Sequence, residues 1–181
     1  ATRVTADLLA AAPRLKVVGR AGVGVDNVDL EAATARGVVV MNTPGGNAVS
    51  AAEHTLAMLL SLAKHIPQAT ASMKAGRWEK GRFLSVELAG KVLGIVGLGR
   101  IGSEVARRAK GLDLRVLVYD PFVNQERAQH LGVELVELAE LFARADFITL
   151  HTPQTEATRD LISAASIAQM KDGVRIVNCA R

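Results

Sequence analysis

The stretch Lys91-Val92-Leu93-Gly94-Ile95-Val96-Gly97-Leu98-Gly99-Arg100-Ile101-Gly102 decides how this chain of 181 residues folds. Val92 to Val96 is a short apolar run of the kind that forms a strand buried on both faces. Glycines spaced G-x-G-x-x-G follow it, and Ile101 to Lys110 then reads as a helix. The bare glycine pattern is weak evidence. A strand before it and a helix after it make it specific.

Each glycine has its own task in such a turn. Gly97 permits the tight bend, Gly99 leaves the backbone open to a phosphate, and Gly102 lets the helix lie close to the strand. The helix start then presents unpaired N–H groups and a partial positive charge, which suit a pyrophosphate. The next strand, Arg115 to Tyr119, ends at Asp120, about 20 residues on, where a carboxylate accepts hydrogen bonds from ribose hydroxyls and repels a 2′-phosphate. Pro121 and Phe122 come next, with no arginine to receive that phosphate. The pattern therefore predicts a dinucleotide site that prefers NAD to NADP.

Downstream the alternation continues. Gln125 to Leu131 is a helix, Val133 to Leu135 a strand, Leu138 to Ala143 a helix and Phe147 to Leu150 a strand. Ser163 to Met170 is helical, and Val174 to Asn178 is the last strand. This predicts an α/β fold, a Rossmann-type doubly wound parallel sheet. Upstream, Thr5 to Ala11 reads as a helix capped by Thr5, Leu15 to Gly19 as a strand, Asp29 to Arg36 as a helix and Val38 to Val40 as a strand. The turn cluster Asn42-Thr43-Pro44-Gly45-Gly46-Asn47 is the expected boundary, giving domains 1–43 and 44–181. Ser50 to His65 reads as a helix apolar on most faces and stopped before Pro67, so protein must cover it. Gln68 to Arg82 is amphipathic, carries the single Trp78, and is expected on the surface or around another subunit.

Composition agrees. Hydrophobic residues are 49% and aromatics 3%, so the core is aliphatic, as in helices packed on a parallel sheet. The net charge of +4 is dispersed, without a block of like charges, which argues against nucleic acid. The longest apolar stretch, Thr55 to Ala63, is far short of the about 20 residues that span a bilayer. One cysteine, Cys179, excludes a disulfide within the chain and suits a reducing, cytoplasmic setting. No basic-then-apolar leader opens the sequence. Its start without methionine and its stop just after a strand read as cuts through a larger protein. His54 is expected in the core or an interface, and His65 and His130 at helix ends or on the surface. No pair has metal-ligand spacing, so no metal is expected. His151 is expected to make a local hydrogen bond at a strand end. Cys179 is expected to be a buried thiol.

Glu87-Leu88-Ala89-Gly90-Lys91 with the glycine turn, Tyr119-Asp120-Pro121, His151-Thr152-Pro153 and Asn178-Cys179-Ala180-Arg181 together resemble the D-isomer-specific 2-hydroxyacid dehydrogenases. Val18 to Asp29, Met41-Asn42-Thr43-Pro44 and Ile66 to Lys74 resemble the members that oxidise 3-phosphoglycerate. The resemblance implies two α/β domains, with residues 1–43 part of a flavodoxin-like substrate domain and the active site in the cleft between the two. It implies NAD as cofactor, a small anionic substrate and a step in serine synthesis, and the long apolar helix Ser50 to His65 predicts a homodimer. Arg181 would hold the substrate carboxylate and carbonyl by its planar fork. Arg100 and Ile101 would lie over the pyrophosphate, Asp120 would take the adenosine ribose, and Thr152, Cys179 and Ala180 would line the nicotinamide side. Gly22 and Gly24 would offer N–H groups to substrate, Arg20 and Asn47 would contact it, and Val23 would meet the cofactor through its backbone. Lys80 and Arg82, near Trp78, either reach across a dimer towards a partner's substrate or form a solvated basic turn. The family's histidine and acidic partner, its acid/base pair, would lie beyond residue 181, so this chain alone is expected to bind cofactor with little turnover. A relative acting on glyoxylate, hydroxypyruvate or lactate, and a non-enzymatic NAD-binding corepressor-like scaffold, are the alternatives.

Overall fold

The computed structural model describes residues 2–180. The chain forms two compact units, 1–49 and 50–181, divided just after the turn cluster. In the first unit, α1 (Ala6–Ala10), β1 (Val17–Arg20), α2 (Leu30–Ala35) and β2 (Val39–Asn42) follow in order. Both helices start on a side-chain cap. Thr5 Oγ1 accepts the Leu8 N–H at 3.3 Å and Asp29 Oδ1 accepts the Ala32 N–H at 2.9 Å, each answering an orphan donor of the first turn. β1 and β2 pair in parallel, Val17 opposite Val39, over a small core of Leu9, Ala33 and Val38.

A long helix, α3 (Ala48–Lys64), crosses the division. Ala52, Leu56, Leu59 and Ala63 are buried at helical spacing, while Val49, Met58 and Leu62 face outward. The helix thus carries apolar residues on its outward as well as its buried face, as expected, and His54 is exposed, not in the core. Pro67 does not simply stop this helix. His65 takes a left-handed turn (φ 52°), and α4 (Ile66–Lys74) starts at once, with Pro67 in its first turn, where the missing N–H costs nothing. A short 3₁₀ turn, Lys80–Arg82, follows, and Trp78 beside it is 77% exposed.

The second unit is built on β3 (Val92–Val96), α5 (Arg100–Lys110), β4 (Arg115–Tyr119), α6 (Gln125–Leu131), β5 (Glu134–Leu135), α7 (Leu138–Arg144), β6 (Phe147–Leu150), α8 (Ala164–Ile167) and β7 (Arg175–Asn178). The sheet is parallel throughout, in the order β5-β4-β3-β6-β7. Alternate residues of β3 serve opposite cores. Leu93 and Ile95 pack with Val105, Ala106 and Ala109 of α5 and with α3, whereas Val96 packs with Leu141, Phe142 and Ala145 of α7. Helices therefore cover both faces, as a doubly wound sheet requires. Gly94 is a point of close approach between β3 and α7. A Cβ there would stand 2.5 Å from Leu141 Cδ2. At the strands' N-terminal ends Asp146 ties three segments together: Oδ2 accepts the Val92 N–H at 2.8 Å and Oδ1 accepts the Lys171 ammonium at 2.9 Å.

Candidate functional site

Strand order reverses between β3 and β6, and the loops leaving those two strands part there. An open α/β sheet places its ligand crevice at such a point. A cleft of about 350 Å³ lies here, lined by Gly97, Gly99, Asp120, Pro121, Phe122 and Thr152 among others.

The glycine turn has the shape its sequence predicts, for reasons now visible in the contacts. Gly97 has φ 96°, and a Cβ on it would come within 2.9 Å of the His151 carbonyl oxygen. A Cβ on Gly102 would collide with the Gly97 carbonyl oxygen and lie 3.4 Å from Ile95 Cγ2. A Cβ on Gly99 would meet nothing within 4 Å. The first and last glycines are needed for packing and the middle one leaves space. Gly99 is also the N-cap of α5 and brings no side-chain acceptor, so the helix start keeps its positive end for a ligand.

Asp120 works on the protein itself as well as facing the cleft. Its Oδ2 accepts the Leu98 N–H at 2.7 Å and its Oδ1 accepts the Phe122 N–H at 2.9 Å. A carboxylate has about four acceptor sites, so roughly two remain for two ribose hydroxyls. The residues present fit an adenine dinucleotide: an acidic acceptor, an open glycine, a helix start and a cleft wall that includes the exposed Phe122 ring.

Thr152 lines this cleft and also a neighbouring hollow of about 270 Å³, together with Asn178 and Ala180. The structure thus gathers Gly97, Gly99, Asp120, Thr152 and Ala180 around adjoining openings, with Arg100 and Ile101 in the first turn of α5. The Ala180 N–H donates to Asn178 Oδ1 at 2.9 Å, which shapes the turn after β7. Cys179 is half-buried against the larger core. Arg181 lies outside the described residues.

In the first unit, Arg20 Nε donates to Asn27 Oδ1 at 3.1 Å, and the guanidinium folds over Gly22. Gly22 was expected to offer its N–H to substrate, but that group already donates to Thr43 Oγ1 at 2.8 Å. Its part here is to pin the loop, helped by the Asn42 amide, which donates to the Val23 carbonyl at 2.7 Å. Gly24 follows in the same loop, and Asn47 is exposed in the turn before α3.

His151 makes the local contact expected of it, Nε2 to Thr149 Oγ1 at 3.0 Å. Burial pushes its imidazole down to about 4, so the ring is neutral near pH 7 and a weak base. In the unfolded chain the same ring titrates near 6.5. Its contribution to stability is therefore complete above about pH 6.5 and is lost as pH falls towards 4, by on the order of 2–3 kcal/mol. His151→Gln should flatten the decline in melting temperature between about pH 6.5 and pH 5. Identical slopes for the two proteins in that window would refute this.

Two contacts were not legible in any motif. The Leu98 carbonyl accepts the Ser103 hydroxyl at 3.2 Å and the Arg127 guanidinium at 3.1 Å. Only the folded chain brings them to the glycine turn.

Comparison with known proteins agrees with this geometry. Residues 56–181 match the family described as D-isomer specific 2-hydroxyacid dehydrogenase, NAD binding domain. The chain is 53% identical over 180 residues to a D-3-phosphoglycerate dehydrogenase of Archaeoglobus fulgidus, covering 99% of this chain and 34% of the relative. It is 56% identical to one of Rattus norvegicus, covering 100% and 34%. The chain thus spans about a third of the length of the curated relatives it matches. Among solved structures, the D-lactate dehydrogenase of Escherichia coli superposes with a TM-score of 0.89 at 32% identity, over 99% of this chain and 57% of that one. The chain belongs to the D-isomer specific 2-hydroxyacid dehydrogenases and carries their NAD-binding domain.

Proposed function

We propose that this chain serves the NAD-dependent oxidation of 3-phosphoglycerate to 3-phosphohydroxypyruvate, the entry to the phosphorylated route to serine. The observation that carries the reading is a gap in similarity. Relatives named for 3-phosphoglycerate are 53–56% identical, whereas a structural neighbour named for lactate is 32% identical at nearly the same fold similarity.

NAD, when bound, would supply the two-electron acceptor for oxidation at C2 of the hydroxy acid. Gly99, Arg100 and the start of α5 would hold the pyrophosphate, and Asp120 the adenosine ribose. Thr152, Cys179 and Ala180 would border the nicotinamide, and Val23 would meet the cofactor through its backbone. The role proposed for Arg181 is to bind the substrate carboxylate and carbonyl through its planar fork. Arg20, with four N–H groups beyond the one on Asn27, would take the substrate's other anionic end, with Gly24 and Asn47 as further contacts. The hydroxyl proton needs a base near neutrality, and the buried His151 is too weak to be assigned that part.

Calorimetric titration of the chain with NAD, alone and with 3-phosphoglycerate, tests the reading. Saturable binding of NAD that 3-phosphoglycerate tightens is expected. NAD binding that D-lactate tightens instead would overturn the choice of substrate.

The dimer belongs to the same proposal. Ile66 and Met73 of α4, with Trp78 and Leu84 after it, are exposed, more apolar surface than one segment commonly leaves to water. A second copy of the chain covers it. Sedimentation should give twice the mass of the 19.1 kDa chain, and a monomer at high concentration would count against this.

A further inference from the structure

We propose that Arg127, a residue of α6 outside every recognised motif, is a positioning residue for the cofactor's phosphates. The inference rests on the NAD site described above and deepens it. Leu98 stands between Gly97 and Gly99, where the chain has the greatest backbone freedom. Yet each of its groups is held. The side chain is fully buried, the N–H donates to Asp120 Oδ2 at 2.7 Å, and the carbonyl accepts the Arg127 guanidinium at 3.1 Å and the Ser103 hydroxyl at 3.2 Å.

The Leu98 carbonyl and the Gly99 N–H are the two ends of one planar peptide unit. In a trans peptide they point in opposite directions. A cation on the carbonyl therefore fixes the plane so that the Gly99 N–H faces away from Arg127. The same contact polarises the unit and makes that N–H a stronger donor. Gly99 is the open glycine, with nothing within 4 Å of where its Cβ would stand. Arg127 thus orients a donor at the place where a phosphate oxygen would arrive, without touching the phosphate. Its own backbone is set for this: the Arg127 N–H donates to Asn124 Oδ1 at 3.0 Å, the cap that starts α6.

Arg127→Met keeps most of the aliphatic stem and removes the cation, and Arg127→Lys restores a single-pronged one. NAD affinity is expected to fall about tenfold in Arg127→Met and less in Arg127→Lys. In the cofactor-free chain the Leu98 amide should exchange with solvent faster in Arg127→Met, with the rest of the sheet unchanged. That local signature separates positioning from general support of the fold. Unchanged NAD affinity in Arg127→Met would overturn the proposal, as would a loss accompanied by faster exchange throughout α6 and β4. If the wild-type chain bound no NAD, the cofactor reading itself would fall and this role with it.

Discussion

Gly102→Ala should cost the chain its cofactor site and much of its stability in one step. The added methyl group would collide with the Gly97 carbonyl oxygen, with the Gly97 carbonyl carbon 3.1 Å away. These are backbone atoms of the turn itself, so no rotamer change relieves the clash. Either α5 moves off the sheet or the turn opens. Overpacking of a rigid site costs about 1–3 kcal/mol, and a backbone clash belongs at or above the upper end. For a chain of this size that is a fall in melting temperature of roughly 6–12 °C. NAD affinity should fall at least a hundredfold, since the displaced helix start no longer faces the phosphates. Gly99→Ala is the informative control. Its Cβ would meet nothing and its φ of −71° suits alanine, so melting should stay within about 0.5 kcal/mol of wild type while NAD binding still weakens. A Gly102→Ala protein that melted with wild type would show that the turn tolerates what its geometry forbids.

Asp120→Ala carries the second large effect, and its cause differs from the usual expectation for an acidic residue at this place. Loss of the ribose acceptor is only part of it. The Leu98 and Phe122 N–H groups both lose their carboxylate, so the turn and the cleft lip loosen together. Hydrogen bonds to a charged group contribute about 1.5–3 kcal/mol each, less where water competes. Partial exposure here suggests about 1–2 kcal/mol of stability and about a hundredfold in NAD affinity. The same double duty bears on any change of cofactor. Asp120→Ser with an arginine placed nearby should shift preference towards NADP, but at lower affinity for both cofactors, because one shorter, uncharged hydroxyl replaces the two carboxylate oxygens that hold the Leu98 and Phe122 N–H groups. Parallel Kd measurements for NAD and NADP decide it. Unaltered preference would remove Asp120 from the ribose, and undiminished NAD affinity in Asp120→Ala would remove it from the turn as well.

Much of this was legible in the sequence where a single period or spacing governed the outcome. Val92 to Val96 and Phe147 to Leu150 are apolar runs buried on both faces, and both are strands of the central sheet. Gly97, Gly99 and Gly102 announce turn, opening and close packing by spacing alone. Prediction was weaker where the answer depended on what lies across from a residue. The stop before Pro67 holds, since α3 ends at Lys64, but the second helix that the left-handed His65 lets begin at once was not foreseen. His54 stood in an apolar segment, but the helix it belongs to turns it to solvent. The helical stretch expected over Ser163 to Met170 shrinks to Ala164–Ile167, because a capping box at Ser163 starts it and only one turn follows. The second task of Asp120 and the reach of Arg127 needed residues 22 and 29 positions away to meet at one residue, Leu98, and no local pattern encodes that.

The Asp146 clasp bears on all of this from the far end of the sheet. Antiparallel strands inherit their alignment from the hairpin between them, but parallel strands joined through helices have no such device. Holding the start of β3 through the Val92 N–H, and the approach to β7 through Lys171, fixes how far each strand runs before its loop departs. A slip of one residue would shift Gly97 against His151 by roughly 3.3 Å and turn each inward side chain to the wrong core. The register set at one edge of the sheet is thus a ruler whose other end, roughly 17 Å away along five residues, measures out the cleft.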